Sequence, residues 1–167
     1  MSTELTTPGV LLRRDWFDPT TAGVIGGARQ VHFRPCPAFL GNFQFAMFGD
    51  VYGRYHGALP PGLHHLAKRM AALYPQEEFN AAFVQRYDLG AYVKAHKDPM
   101  NNLNRTLIAI FGDFEGAETT VGGEKFTARP GDLVELPCTV NGVRGPRHQV
   151  SPVTSGCRYA LILNTIL

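Results

Sequence analysis

Residues 92–99 read YVKAHKDP and place His96 and Asp98 two positions apart. Alternate side chains of a strand leave the same face, so an imidazole and a carboxylate at this spacing can hold one ion together. A single His-x-Asp also arises by chance and suits an ordinary wet strand face. A facial metal site needs one further histidine and leaves the metal's other positions open. Among the six histidines, His32, His56, His64 and His65 all precede the pair. Only His148, in GPRHQVSPV, follows it. Ten residues beyond His148, Arg158 interrupts the apolar stretch GCRYALIL. A guanidinium in such a strand is costly unless it meets an anion, and its fork matches a carboxylate. Together the four residues form one chemical set: iron held by His96, Asp98 and His148, and a dicarboxylate held by Arg158. As separate residues they read as a core or surface histidine and a salt-bridged arginine.

The segments that must carry these side chains are short. FNAAFVQRY, AYVKAHKD, TLIAIFGD, GDLVELP and RYALILNTI are apolar or alternating and are separated by Gly, Asn, Asp and Pro. Strands at that spacing predict a sandwich or barrel. GAETTVGGEKF reads as a hairpin turning at Gly122 and Gly123. Before them, PPGLHHLAKRMAALYP predicts a helix with Leu63, Leu66, Met70 and Leu73 on one face and Pro75 at its end. His64 and His65 then fall on its solvent side. The first third reads as irregular, and the prolines of HFRPCPAFLGNF argue against a helix there. One domain is expected over 1–167: an N-terminal extension and helix over 1–78, packed on a β core over 79–167.

Composition agrees with a globular chain. Its 167 residues are 44% hydrophobic and 18% charged, enough for one core. The net charge of +2 does not by itself mark a nucleic-acid binder, although a local basic patch suffices for one. No apolar run is long enough to span a bilayer, and the N-terminus lacks the pattern of a secretory leader. Cys36, Cys138 and Cys157 are odd in number and widely spaced, which suits core thiols in a reducing, cytoplasmic setting away from membranes.

These residues resemble the Fe(II)- and 2-oxoglutarate-dependent dioxygenases. The resemblance is closest to the AlkB-like branch, which removes or oxidises alkyl groups on nucleic-acid bases. FGDVYGRYHGALPPGLHHLAKRM resembles that branch's recognition strand, proline-rich turn and helix. FNAAFVQRYDLGAYVKAHKD resembles its Asn-x-Tyr, Gly and His-x-Asp strands, and SPVTSGCRYALILN its terminal strand. The likeness covers about residues 48 to 167. It implies a mainly β fold with N-terminal α/β elements around a double-stranded β-helix, or jelly-roll, core. It implies Fe(II), 2-oxoglutarate and O2 as cofactor and cosubstrates, and succinate and CO2 as products. His96, Asp98 and His148 then ligate iron, and Arg158 takes the distal carboxylate of 2-oxoglutarate. Tyr87 falls at the family's cosubstrate tyrosine. Gln85 stands where an asparagine is usual.

Two departures bear on the substrate. Asn164 occupies the place of the second arginine of AlkB-type repair enzymes. The short interval from His148 to Arg158 is closer to the prolyl-hydroxylase branch. The expected activity is hydroxylation or oxidative demethylation of a substrate C–H, with a nucleobase in nucleic acid or a nucleotide as the favoured substrate. The alternatives are a free or peptidyl amino acid such as proline, a metal-dependent enzyme without 2-oxoglutarate, and a jelly-roll sensor of a metal or small acid.

Substrate contacts are read from residue type. Tyr52 and Tyr55 flank Arg54, and aromatics beside a cation can stack on a base and meet a phosphate; they equally suit a strand packed on the core. Arg144 and Arg147 precede His148 and favour an anionic substrate if they border its pocket. Arg105 reads as a strand-edge charge or the partner of an acid. Small-molecule, peptide and nucleic-acid partners all remain open, as does the oligomeric state.

Overall fold

The last strand shows how this chain is built. In β15 (Val153–Ile166), Tyr159, Leu161 and Leu163 join one apolar cluster. Arg158, Ala160, Ile162, Asn164 and Ile166 face the opposite side and line a cavity. Residues of both sets are buried, so both faces are covered: one by helices, the other by a second sheet.

The computed structural model describes residues 2–167. Its N-terminal part contains β1 (Ser2–Glu4), β2 (Leu11–Arg13), α1 (Ala22–Arg29), β3 (Arg34–Pro35), β4 (Gln44–Val51), β5 (Arg54–Tyr55) and α2 (Pro61–Ala71). Then come β6 (Ala81–Tyr87), β7 (Val93–His96), β8 (Asn102–Gly116), β9 (Thr119–Val121) and β10 (Glu124–Phe126). β11 (Leu133–Pro137), β12 (Thr139–Val140), β13 (Val143–Arg144) and β14 (His148–Val150) precede β15. The large sheet runs β1-β2-β11-β8-β15-β6-β4-β3, with β5 added to β4. A small sheet runs β10-β9-β14-β7, and β12 and β13 form a separate hairpin. The result is an antiparallel jelly-roll, mainly β as expected.

On the outer face of the large sheet, α2 buries Leu63, Leu66, Ala67 and Met70 at three- and four-residue steps. Pro61 opens it in the first turn, where no amide partner is lost. Regular helix stops at Ala71, although Leu73 still packs against the core. His64 and His65 are exposed, as expected.

α1 is a correction to the irregular reading of the first third. Its sequence AGVIGGAR carries three glycines, each costing about 1 kcal/mol relative to alanine in a helix. Local propensity therefore argues against it, and packing overrides propensity. Val24 and Ala28 are buried with the α2 face in one cluster. The helices cross so closely that a Cβ on Gly62 would lie 1.9 Å from the Gly23 carbonyl oxygen. β4 is likewise a full strand in that third, paired with β6 from Gln44 to Gly49.

Gly122 and Gly123 form the two-residue turn between β9 and β10, with φ of 57° and 88°. This is the left-handed pair that a tight hairpin demands. Arg105 pairs with Glu77 at 2.8 Å and lies over the Tyr74 ring, on the side away from the cavity. Cys138 is buried, whereas Cys36 and Cys157 are half-buried. Among the described residues, no helix is long and apolar enough to cross a membrane.

Candidate active site

Between the two sheets lies a cavity of about 550 Å³. Its walls are the inward faces of β6, β8, β11 and β15 opposite β7 and β14. Along β15, Arg158 stands toward one end and Asn164 toward the other, with Ala160 and Ile162 between them.

β7 ends on His96 and β14 begins on His148, and the two residues are register partners. Their ring centroids are 4.4 Å apart. His96 Nδ1 donates to the Lys94 carbonyl at 2.8 Å, and His148 Nδ1 donates to the Pro146 carbonyl at 3.0 Å. A carbonyl only accepts, so each ring carries its proton on Nδ1 and turns the Nε2 lone pair inward. Asp98 Oδ1 lies 3.8 Å from His96 Nε2 and 3.5 Å from His148 Nε2. One ligand atom from each of the three residues falls within 4.8 Å of the others. Two neutral imidazoles and one carboxylate, with both rings fixed from behind by carbonyls, are a donor set that fits Fe(II).

Electrostatics agree with that pattern for His96 and Asp98 and pull the other way for His148. Burial lowers the pKa of His96, and the neighbouring His148 lowers it further. Burial also lowers His148, but its contact with Asp98 outweighs burial and the net shift is upward. Burial raises Asp98, yet contacts with His148 and His96 outweigh it and hold the carboxyl below its usual range. The carboxylate is therefore ionised and already surrounded by the groups with which it would share a cation.

Arg158 is 3% exposed, and its Nε and Nη1 have no hydrogen-bond partner. Its guanidinium lies 4.6 Å from the centre of the Tyr87 ring, the residue opposite it on β6. Tyr87 is buried and its hydroxyl donates to Gln85 Oε1. Burial raises the Tyr87 pKa and Arg158 only partly offsets this, so the phenol stays protonated as a donor. Thr119, from the small sheet, adds a buried hydroxyl without a partner. A buried cation with free donors is expensive unless an anion reaches it. Facing the cavity, this end fits the carboxylate of a 2-oxoglutarate molecule.

Other residues singled out from sequence are distributed differently. Tyr52, at φ 51° in the turn after β4, is 59% exposed and lines the cavity mouth. Arg54 and Tyr55 are exposed on β5 and do not line the cavity. Arg144 does line it, and its guanidinium grips the carbonyls of Lys97 and Asp98 at 2.6–3.0 Å. Arg147 is exposed and lies in a separate shallow depression beside His148. Asn164 is buried and donates to Thr106 at 2.7 Å. Sequence reading missed Thr106, Thr119 and Asn102, the last with a buried, unpartnered Oδ1 on the cavity wall. Their only advance signal is polarity at inward positions of apolar strands.

No protein-family model matches the sequence, and no curated protein matches it significantly. Solved structures do match it. An oxidoreductase of the 2OG-Fe(II) oxygenase family from Burkholderia pseudomallei is 17% identical over 93% of this chain and 84% of its own, with a TM-score of 0.67. A prolyl hydroxylase from Trichoplax adhaerens, in complex with a peptide fragment of the hypoxia inducible factor oxygen degradation domain, is 13% identical. The match covers 95% of this chain and 83% of that one, with a TM-score of 0.73. OsALKBH1 is 15% identical over 97% of this chain and 100% of its own, with a TM-score of 0.67. This chain therefore has the fold of the 2-oxoglutarate- and Fe(II)-dependent oxygenases. The likeness extends through the N-terminal third as well as the β core.

Proposed function

We propose that this protein is an Fe(II)- and 2-oxoglutarate-dependent oxygenase that hydroxylates a substrate C–H. The observation that carries the reading is Arg158: a buried guanidinium with free donors, in the same cavity as the His96–Asp98–His148 cluster. When bound, iron and 2-oxoglutarate supply the oxidation of the C–H bond by O2, with release of succinate and CO2. His96, Asp98 and His148 hold the metal, and the Lys94 and Pro146 carbonyls keep the rings turned toward it. Arg158 binds and orients the cosubstrate carboxylate, with Thr119 as a further donor; Tyr87 joins them by turning its one proton from Gln85 Oε1 to the carboxylate. Ile110 and Ala160, beside Arg158 in the sheet, make that end of the cavity apolar, which excludes water and strengthens the ion pair.

A nucleobase, in nucleic acid or a nucleotide, is the substrate that the mouth favours. Tyr52 offers a face for stacking, Asn102 an unpaired acceptor for a ring or exocyclic N–H, and Lys97 and Arg144 positive charge at the rim. Arg54 and Tyr55 on the adjoining β5 and Arg147 beside His148 are the outer contacts of this reading. Two observations favour a peptidyl residue such as proline as a second reading. One is the fold likeness to a peptide-bound prolyl hydroxylase. The other is Asn164, which turns its amide into the wall rather than toward the mouth.

Succinate release with Fe(II), 2-oxoglutarate and O2 tests both levels. Wild type and His96→Ala are assayed alone and with methylated DNA, methylated RNA, nucleotides and proline-containing peptides. Turnover stimulated by one pool and lost in the variant supports the activity and selects the substrate. Failure of the wild type to bind 2-oxoglutarate refutes the reading.

A further inference from the structure

The two oxygens of Asp98 have different neighbours. Oδ1 faces the histidine Nε2 atoms. Oδ2 instead accepts the Thr106 hydroxyl at 3.2 Å. Thr106 in turn accepts the Asn164 Nδ2 amide at 2.7 Å, and each of these two residues is 3% exposed. A hydroxyl has a single proton to give. Because the Asn164 amide donates into the Thr106 oxygen, that proton has two acceptors in reach, Asp98 Oδ2 and Cys138 Sγ at 3.7 Å, and the ionised carboxylate is the stronger of the two. The line therefore runs in one direction, from Asn164 through Thr106 to the carboxylate.

The backbone explains how three distant segments meet. The β8–β15 register is interrupted between Leu163 and Thr165, where Asn104 takes a left-handed φ of 58°. An irregularity of this kind re-aims the side chains beside it. Here it leaves Thr106 and Asn164 within hydrogen-bond reach on the same inward face.

We infer that Thr106, oriented by Asn164, is a positioning residue that makes Asp98 a one-oxygen ligand, presenting Oδ1 to the metal and withholding Oδ2. This rests on the metal reading above. A carboxylate free to swing takes two positions on an ion, and a facial site needs its open positions for reactants. The line also accounts for Asn164. Its neutral amide supports the metal ligand from behind and makes no contact at the substrate mouth.

Co(II) titration of the purified full-length protein tests this without turnover, reading affinity by calorimetry and ligand geometry by visible absorption. Thr106→Val keeps the shape and removes the proton. It should bind Co(II) roughly ten- to a hundredfold more weakly, with an altered spectrum. Thr106→Ser should restore most of both. Asn164→Asp should behave like Thr106→Val, because a carboxylate there accepts the Thr106 proton and draws it away from Asp98. Thermal unfolding without metal separates loss of fold from loss of the ion. If Thr106→Val does not fold, Asn164→Asp decides. Wild-type affinity and spectrum in the deciding variant overturn the inference and leave the metal reading standing. Absence of wild-type Co(II) binding, or binding that survives His96→Ala, overturns both.

Discussion

His96 and His148 stand opposite each other across the β7–β14 pair, and each ring is held from behind by a carbonyl two residues earlier in its own chain segment. The pairing register alone brings the two imidazoles onto one face. A slip by one residue would turn one ring out of the cavity. Substituting either histidine should therefore do more than a change behind the ligands. His148→Ala is expected to weaken Co(II) binding by more than about a hundredfold, the upper end for residues that only support a ligand. Calorimetric titration against wild type checks this, and unchanged affinity would exclude His148 from the metal site.

Arg158 is expected to trade stability for binding. Replacing a buried guanidinium whose Nε and Nη1 lack hydrogen-bond partners by an apolar side chain of similar length removes a desolvation cost. Arg158→Met should then gain on the order of 1 kcal/mol in the ligand-free protein, a rise in Tm of about 2–4 °C. The same change should weaken 2-oxoglutarate binding by about thirtyfold or more, since losing a buried charge partner costs at least about 2 kcal/mol. Thermal melts with and without 2-oxoglutarate show both effects. A lower Tm in ligand-free Arg158→Met would mean that the guanidinium's contact with the Tyr87 ring outweighs its desolvation cost.

The contact between α1 and α2 gives a paired prediction. Gly62→Ala places a methyl 1.9 Å from a backbone oxygen, so the helices must separate. Overpacking of this kind costs about 1–3 kcal/mol. Gly26→Ala, in the same helix pair, meets nothing within 4 Å and should instead stabilise by about 0.5–1 kcal/mol. Urea denaturation of the two variants should give shifts of opposite sign.

Cys138 should be inert in the native protein. Burial pushes its thiol up to about 11, only partly opposed by its contact with Thr106. Relative to the ordinary value of 9.0, this cuts the thiolate population at pH 8 about a hundredfold. Folding thus favours the protonated thiol. The associated stability is fully present below pH 9 and is lost as the pH rises through about 11. Iodoacetamide labelling at pH 8, read by mass spectrometry, should modify Cys138 only after denaturation.

The parts of this architecture that were legible in sequence are those with a local cause. The α2 stripe of Leu63, Leu66 and Met70, the glycine pair of the β9–β10 turn and the lone arginine of β15 each announce their setting within a few residues. The His-x-Asp pair is visible because a strand's period is two. α1 was hidden because its glycines oppose a helix until Gly62 gives them a surface to pack on. The Asn164–Thr106–Asp98 line was hidden for another reason. It depends on a register break and on residues from three separate segments, so spacing along the chain carries no trace of it. Arg54 and Tyr55 show a different limit: neighbours of Tyr52 in sequence, they stand on β5 outside the cavity wall that Tyr52 lines, a distinction their spacing does not carry.

The pairing of β7 with β14 has a consequence for how the protein matures. Between the two imidazoles in sequence lie the long strand β8 and both short hairpins. A chain that ends before β14 lacks His148 and with it the complete donor set. An ion held by that set therefore favours chains in which β7 and β14 have paired, and adds its binding energy to that pairing.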